Sequence, residues 1–230
     1  MNNRSFKVIA KIHTDFHSKF GIPRQSGLIP EVLGEIIFEP KYRDASALKG
    51  LEEFTHLWLL WEFSESVRED WSPTVRPPRL GGNERKGVFA TRSPFRPNPV
   101  GLSCVKIVEI KKTVDKGMVI IVSGADLLDG TPIYDIKPYI PYTDCHPEAA
   151  GGFSERVFGD KLEVAIPEEL SCLLSGEKLK ALKAVLSGDP RPAYHEDEER
   201  EYGFEFSSFK VKFRVKGDVL TVTDIYNVYD

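Results

Sequence analysis

The chain has 230 residues, 41% of them hydrophobic and 29% charged, which is the composition of a globular protein and excludes a disordered one. Lys plus Arg number 31 and Asp plus Glu 35, so the formal net charge is −4. A wholly basic nucleic-acid binder is thereby excluded, whereas a local basic face is not.

In chain order, residues 6–13 are rich in apolar and β-branched side chains and predict a strand. Residues 34–39 predict a second, after a Pro/Gly turn region. Residues 54–63 (FTHLWLLWEF) are almost continuously apolar, as expected of a strand buried on both faces. Residues 87–91 read as a short strand. Residues 103–110 and 118–123 are β-branched and flank an Asp115-Lys116-Gly117 turn, and 133–139 give another strand. Near Pro167 the pattern changes. Pro167-Glu168-Glu169 opens a helix, with proline first and acids at the positive dipole end. Residues 175–187 predict a helix whose Leu179, Leu182 and Leu186 share a face. Residues 207–215 alternate and turn at Lys216-Gly217-Asp218 into 219–225, a hairpin.

Strands at this spacing with few helices predict a mainly β barrel or sandwich over 1–160, with a small α+β appendage over 161–230. Neither GxGxxG after a strand nor GxxxxGK[ST] is present, so the usual dinucleotide and phosphate-loop fingerprints are absent. Cys104, Cys145 and Cys172 are too scattered for a disulfide framework or a metal set and read as reduced thiols of a cytoplasmic protein. The N-terminal residues show no leader-like apolar core, and no stretch approaches a membrane span. No metal is expected.

The unusual segment is 71–102, which holds six of the sixteen prolines. Proline fixes φ and cannot join a ladder, so this is a stiff loop. Residues 68–96 hold seven basic side chains (Arg68, Arg76, Arg79, Arg85, Lys86, Arg92, Arg96) against Glu69, Asp70 and Glu84, a net of four positive charges. Stiffly held guanidinium forks suit phosphates and carboxylates. The bland alternative pairs these arginines with the acidic run 196–201. A second loop, 19–27 (KFGIPRQSG), sets Arg24 and Gln25 behind Pro23, and Gln25 has the donor and acceptor to read a base edge. Residues 125–135 place Asp126 and Asp129 around Leu127-Leu128. These carboxylates suit ribose hydroxyls or a cationic ligand such as a sulfonium, or simply cap their own turn. In DPRPAY (189–194), Arg191 and Tyr194 have the chemistry to stack on a base. His56, inside the apolar strand, reads as a satisfied core histidine.

The segments FGIPRQSG, LEEFTHLWLLWEF, PTVRPPRLGGNERKGVFATRSPFRPNPVGLS, DLLDGTPIYDIKPYIPY and DPRPAY, in this order, resemble the TrmO (TsaA-like, YaeB-like) family across nearly the whole chain. The resemblance implies a β-barrel methyltransferase that takes S-adenosyl-L-methionine and methylates N6 of threonylcarbamoyladenosine, just 3′ of the tRNA anticodon. It implies a homodimer. Carried over by position, it puts Pro23, Arg24, Gln25, Ser64, Glu65, Arg92, Leu102 and Asp126, Leu127, Leu128 and Asp129 at the cofactor. Arg76, Arg79, Asn98, Arg191 and Tyr194 would meet the tRNA anticodon loop.

Methyl transfer needs an in-line nucleophile and a positioned donor more than a covalent enzyme group. The urea-like target nitrogen is a poor nucleophile. Arg92 or Arg96 would polarise its neighbouring carbonyl, and Asp129 or Asp135 would take its proton. The competing readings are a non-catalytic module that binds tRNA or another anion through the arginine loops, and a hydrolase of phosphorylated small molecules.

Overall fold

The computed structural model describes residues 5–68, 70–77, 84–157, 161–191 and 197–229. Along the first part of the chain run β1 (Ala10–Thr14), β2 (Leu33–Phe38), β3 (His56–Glu62), the two-residue pair β4 (Thr74–Val75) and β5 (Lys86–Gly87), then β6 (Val100–Thr113), β7 (Gly117–Ser123) and β8 (Thr131–Pro138). The short helix α1 (Pro141–Asp144) follows. Six of these strands close a barrel in the order β1-β2-β7-β6-β3-β8, antiparallel throughout. Closure removes every exposed edge.

The barrel is filled by alternate side chains of each strand, including Ala10, Ile12, Ile36, Leu57, Leu59, Val105, Ile120, Val122 and Ile133. β3 departs from the reading of a strand buried on both faces. Leu57, Leu59 and Trp61 point into the core, while His56, Trp58, Leu60 and Glu62 are half-buried. The outer face is apolar because it is partly roofed. Trp58 packs on Tyr139 at 5.8 Å and donates its indole N–H to Asp144 of α1 at 2.9 Å. The Ile140 backbone N–H, then that indole N–H, hold the Asp144 carboxyl below the usual carboxylate range. His56 stands at the strand's start with Nδ1 2.9 Å from Thr55 Oγ1, not in the core. The strand expected at 87–91 is cut to Lys86–Gly87. The chain then winds into a 3₁₀ turn, Val88–Ala90, and enters the proline-rich loop.

The second part holds β9 (Glu163–Ala165), α2 (Glu168–Ser171), α3 (Gly176–Ser187), β10 (Tyr202–Phe206), β11 (Phe209–Lys216) and β12 (Val219–Asn227). The four strands form a sheet in the order β10-β11-β12-β9. The Ser175 side chain caps α3, which turns Ala181, Leu182, Val185 and Leu186 onto the sheet. Phe204, Phe206, Val211, Phe213, Val215 and Leu220 meet them. Pro167 is the residue before α2 rather than its first helical residue. This second core also takes Phe16 and Val32, both fully buried, from the β1–β2 connection. The boundary expected at 160 falls among residues 158–160, outside those described.

Candidate functional site

A cleft of about 730 Å³ opens where the loops meet at one end of the barrel. The β1–β2 loop brings Lys19 and residues 22–25. The end of β3 and the following 3₁₀ turn bring residues 61–66. The proline-rich loop brings Phe89, Thr91, Arg92, Pro94, Arg96, Pro97 and Asn98. The start of β6 brings Val100, Gly101 and Leu102, the β7–β8 connection brings Asp126 and Leu128, and the start of β8 brings Thr131.

Each wall is fixed locally. In the proline-rich loop, Thr91 Oγ1 donates to Val88 O at 2.9 Å, the Arg96 backbone N–H donates to Pro94 O at 2.9 Å, and that of Val100 donates to Asn98 O at 2.7 Å. The Arg96 guanidinium is anchored on Thr91 O at 3.0 Å. The Arg68 guanidinium lies 3.8 Å over the Phe95 ring. The Phe63 N–H donates to Pro99 O at 2.8 Å, which joins this loop to the end of β3. Lys19 donates to Glu65 O at 2.8 Å and lies 3.6 Å from its carboxylate, which joins the β1–β2 loop to the 3₁₀ turn. Ser26 accepts the Cys104 N–H at 3.0 Å and so ties the same loop to β6.

Inside the cleft, Arg92 donates to Gln25 Oε1, and Gln25 Nε2 donates to Arg24 O at 2.6 Å. Arg24 turns its guanidinium onto Asp189 O at 2.7 Å and Arg191 O at 3.3 Å. The floor carries a hydrogen-bonded line. Trp61 Nε1 donates to Ser103 Oγ at 2.9 Å, and Ser103 donates to Asp126 Oδ1 at 2.5 Å. Burial pushes the Asp126 carboxyl up from its usual range. The Ser103 hydroxyl and the Arg92 charge offset part of that rise. The indole lies against Gly101, where any Cβ would come within 2.2 Å of Trp61 Cε2.

Of the residues singled out by sequence, Pro23, Arg24, Gln25, Ser64, Glu65, Arg92, Arg96, Asn98, Leu102, Asp126 and Leu128 line this cleft. Leu127 does not, because its side chain fills the barrel core. The Asp129 side chain turns away. It accepts the Thr14 N–H at 3.0 Å, with His13 Nδ1 at 3.1 Å and His17 Nδ1 at 3.7 Å. Asp126 thus receives the Ser103 hydroxyl together with its own backbone N–H, and Asp129 receives the Thr14 N–H. Asp135 sits on β8 outside the cleft, bound to the Ile136 N–H at 3.0 Å and to Lys137 at 2.9 Å. The proton-accepting role expected of Asp129 or Asp135 therefore finds neither carboxylate in the cleft. Arg76 is exposed beyond β4. The Arg191 fork is folded onto its neighbour Asp189 at 2.9 and 3.1 Å. Arg79 and Tyr194 lie outside the described residues. In the acidic run, Glu201 meets Thr223 and Arg214, and Glu198 meets the Gly217 N–H, so these carboxylates serve their own sheet rather than the arginine loop.

Lys19, Trp61, Ser103 and Thr131 were not singled out by sequence. Trp61 and Ser103 belong to strands whose patterns signal core, and nothing in either segment alone tells that register sets Leu59 opposite Ser103 and Trp61 opposite Gly101. Among the described residues, no helix is long and apolar enough to cross a membrane.

The tRNA-methyltransferase O N-terminal domain family matches residues 11–145, and the TrmO C-terminal domain family matches 160–228. The chain is 42% identical over 224 residues to the tRNA (adenine(37)-N6)-methyltransferase of Escherichia coli (strain K12), covering 94% of each chain. It is 34% identical over 151 residues to the "Probable S-adenosyl-L-methionine-binding protein" of Pyrococcus abyssi, covering 66% of this chain and 76% of that one. The crystal structure of TrmO from Pseudomonas aeruginosa superposes with a TM-score of 0.78 at 31% identity, covering 99% of this chain and 98% of that one.

Proposed function

The chain belongs to the tRNA-methyltransferase O family, and from that premise we propose that it methylates N6 of adenosine 37 of tRNA, using S-adenosylmethionine. The substrate form is the threonylcarbamoyl derivative of that adenosine, and the chain acts in the cytoplasm as a homodimer. The observation that carries the reading is the cleft, where stiff arginine loops and a half-buried carboxylate face one space.

The residues present fit the donor. A cleft of about 730 Å³ lies within the range of about 300–1,000 Å³ that holds a nucleoside-sized ligand. Its lining joins apolar surface at Trp61, Phe63 and Leu102 to convergent polar groups at Arg24, Gln25, Arg92 and Asp126. A surface serving anion binding alone would have no use for a half-buried carboxylate, which repels phosphates. That carboxylate suits a cationic donor.

S-adenosylmethionine, when bound, supplies an electrophilic methyl group on a positive sulfur. Pro23–Gln25, Ser64–Glu65, Leu102, Asp126 and Leu128 would hold it. Asp126 sets a negative charge at the cleft floor, and Trp61 and Ser103 fix its direction. Arg92 and Arg96 suit the substrate's carbonyl and its threonine carboxylate, because a guanidinium binds a carboxylate through two parallel hydrogen bonds. Asn98 in the cleft and the exposed Arg76 would meet the anticodon loop. Most of the rate then comes from positioning, an effect that reaches about 7–11 kcal/mol in well-aligned reactions.

Arg92→Ala tests this reading. The side chain is exposed and its described partner is Gln25, so the variant keeps its fold. It is expected to lose turnover by about a hundredfold or more, equivalent to about 2.7 kcal/mol of barrier. A variant that unfolds would make this arginine structural, and a variant with parental turnover would remove it from the site.

A further inference from the structure

The β1–β2 loop that lines the cleft belongs as much to the second core as to the barrel. Phe16 is fully buried against Phe206, with ring centroids 5.8 Å apart. The Ser207 N–H donates to Asp15 O at 2.8 Å, with Ser207 itself in the left-handed region at φ 56°. Lys178 of α3 meets both oxygens of the Asp15 carboxylate at 2.5 Å, and that carboxylate is only 13% exposed. Gly21 has φ +93°, and a Cβ there would come within 2.4 Å of the Phe204 ring. Two residues further on, Pro23, Arg24 and Gln25 enter the cleft.

A further attachment reaches a cleft residue directly. Arg24 donates to the carbonyls of Asp189 and Arg191. Asp189 is itself in the left-handed region, at φ 49°. Its carboxylate braces Arg191 through Nε and Nη2. A non-glycine residue in that conformation, held by a two-point ion pair, is locally costly and persists where its surroundings over-determine it. Here it aims two carbonyl oxygens at the guanidinium of a cleft arginine.

We propose that the C-terminal unit is a working half of the methyl-donor cleft, with Asp189 and Lys178 as positioning residues that set the Pro23–Gln25 segment through Arg24 and Asp15. This rests on the functional reading above. It assigns Asp189 to the donor side of the reaction, whereas the resemblance places its motif with tRNA. Neither positioning residue lines the cleft, so each acts through the loop it holds. A loop displaced by about an ångström no longer presents its groups in the productive geometry.

The test uses the full-length protein and S-adenosylmethionine in calorimetric titration, with initial rates at varied donor and varied tRNA. Asp189→Gly keeps the left-handed backbone and removes the brace. Lys178→Met removes the Asp15 partner, and Lys178→Arg restores it. Asp189→Gly and Lys178→Met are each expected to weaken donor binding and raise the donor KM by about fivefold to tenfold, with the tRNA KM within about twofold. Lys178→Arg returns the donor KM to within about twofold of the parent. Lys212→Ala, which removes an exposed ion pair with Asp224 on the same unit, leaves both KM values unchanged. Parental donor binding in both Asp189→Gly and Lys178→Met would overturn the proposal. So would equal losses for donor and tRNA accompanied by a drop in Tm, since that pattern belongs to a structural role. A parent protein that binds no S-adenosylmethionine would overturn the functional reading and this proposal with it, whereas a binding parent with equal variants overturns this proposal alone.

Discussion

Asp126 carries its charge where burial resists it, and that sets its behaviour with pH. Its carboxyl is raised above the ordinary value near 4, so the folded protein holds this proton more tightly than the unfolded chain does. The sign follows. Its contribution to stability is most favourable below the ordinary carboxylate value and falls away as pH rises through the raised one. Asp126→Asn keeps an acceptor for Ser103 and removes the buried charge. It is expected to hold or raise Tm at pH 7, to flatten the decline of Tm above about pH 4, and to weaken donor binding by about tenfold or more. Thermal melts across pH and calorimetry read both effects, and parental donor affinity would remove Asp126 from the site. At this scale the sequence was informative where chemistry and rigidity coincide. Arg24, Gln25 and Arg92 sit beside prolines in polar loops and could be picked out as ligand-holding groups. The burial of Asp126 was not legible, because it depends on Ser103 and Trp61 from two other strands.

At the scale of elements, β3 and β6 build the cleft floor by register. The β3–β6 pairing sets Trp61 opposite Gly101, and the indole occupies the space a side chain at 101 would need. Gly101→Ala is expected to cost about 1–3 kcal/mol in urea unfolding, since the ring must leave its place. It should also weaken donor binding, because Trp61 then loses its line to Ser103. Unchanged stability would mean that the ring has room to move. β2, β6, β7 and β12 were readable from apolar, β-branched composition and the turns beside them, β11 from its alternation, and the capped helix α3 from its leucine spacing. β10 was hidden behind the acidic run, and the three-residue β9 is too short to show a period. Its parallel pairing with β12 spans distant parts of the chain. The apolar outer face of β3 misled because α1 and Tyr139 cover it from outside the strand.

For the molecule as a whole, a chain of net charge −4 carries four net positive charges in residues 68–96, and Arg92 and Arg96 of that segment line a cleft that also holds carboxylates. Exposed arginines meeting phosphates release counterions, so tRNA binding should fall with salt at about 0.7 log units per log unit of salt for each single-strand contact. Arg76→Ala is expected to reduce that slope by about one contact and to leave donor affinity unchanged. An identical slope would take Arg76 out of the tRNA path. The change of pattern near Pro167 was visible in the sequence. That Phe16 and Val32 of the β1–β2 connection enter the core of the second part was not, because an apolar loop residue looks the same whichever core receives it.

Incubation of the full-length protein with tRNA and S-adenosylmethionine labelled in its methyl group, followed by mass spectrometry of the tRNA nucleosides, addresses the central claim most directly. Label on N6 of threonylcarbamoyladenosine, absent when the tRNA lacks the threonylcarbamoyl group and absent with Arg92→Ala, is the expected result. An unlabelled threonylcarbamoyladenosine, or label on a different nucleoside, would contradict it.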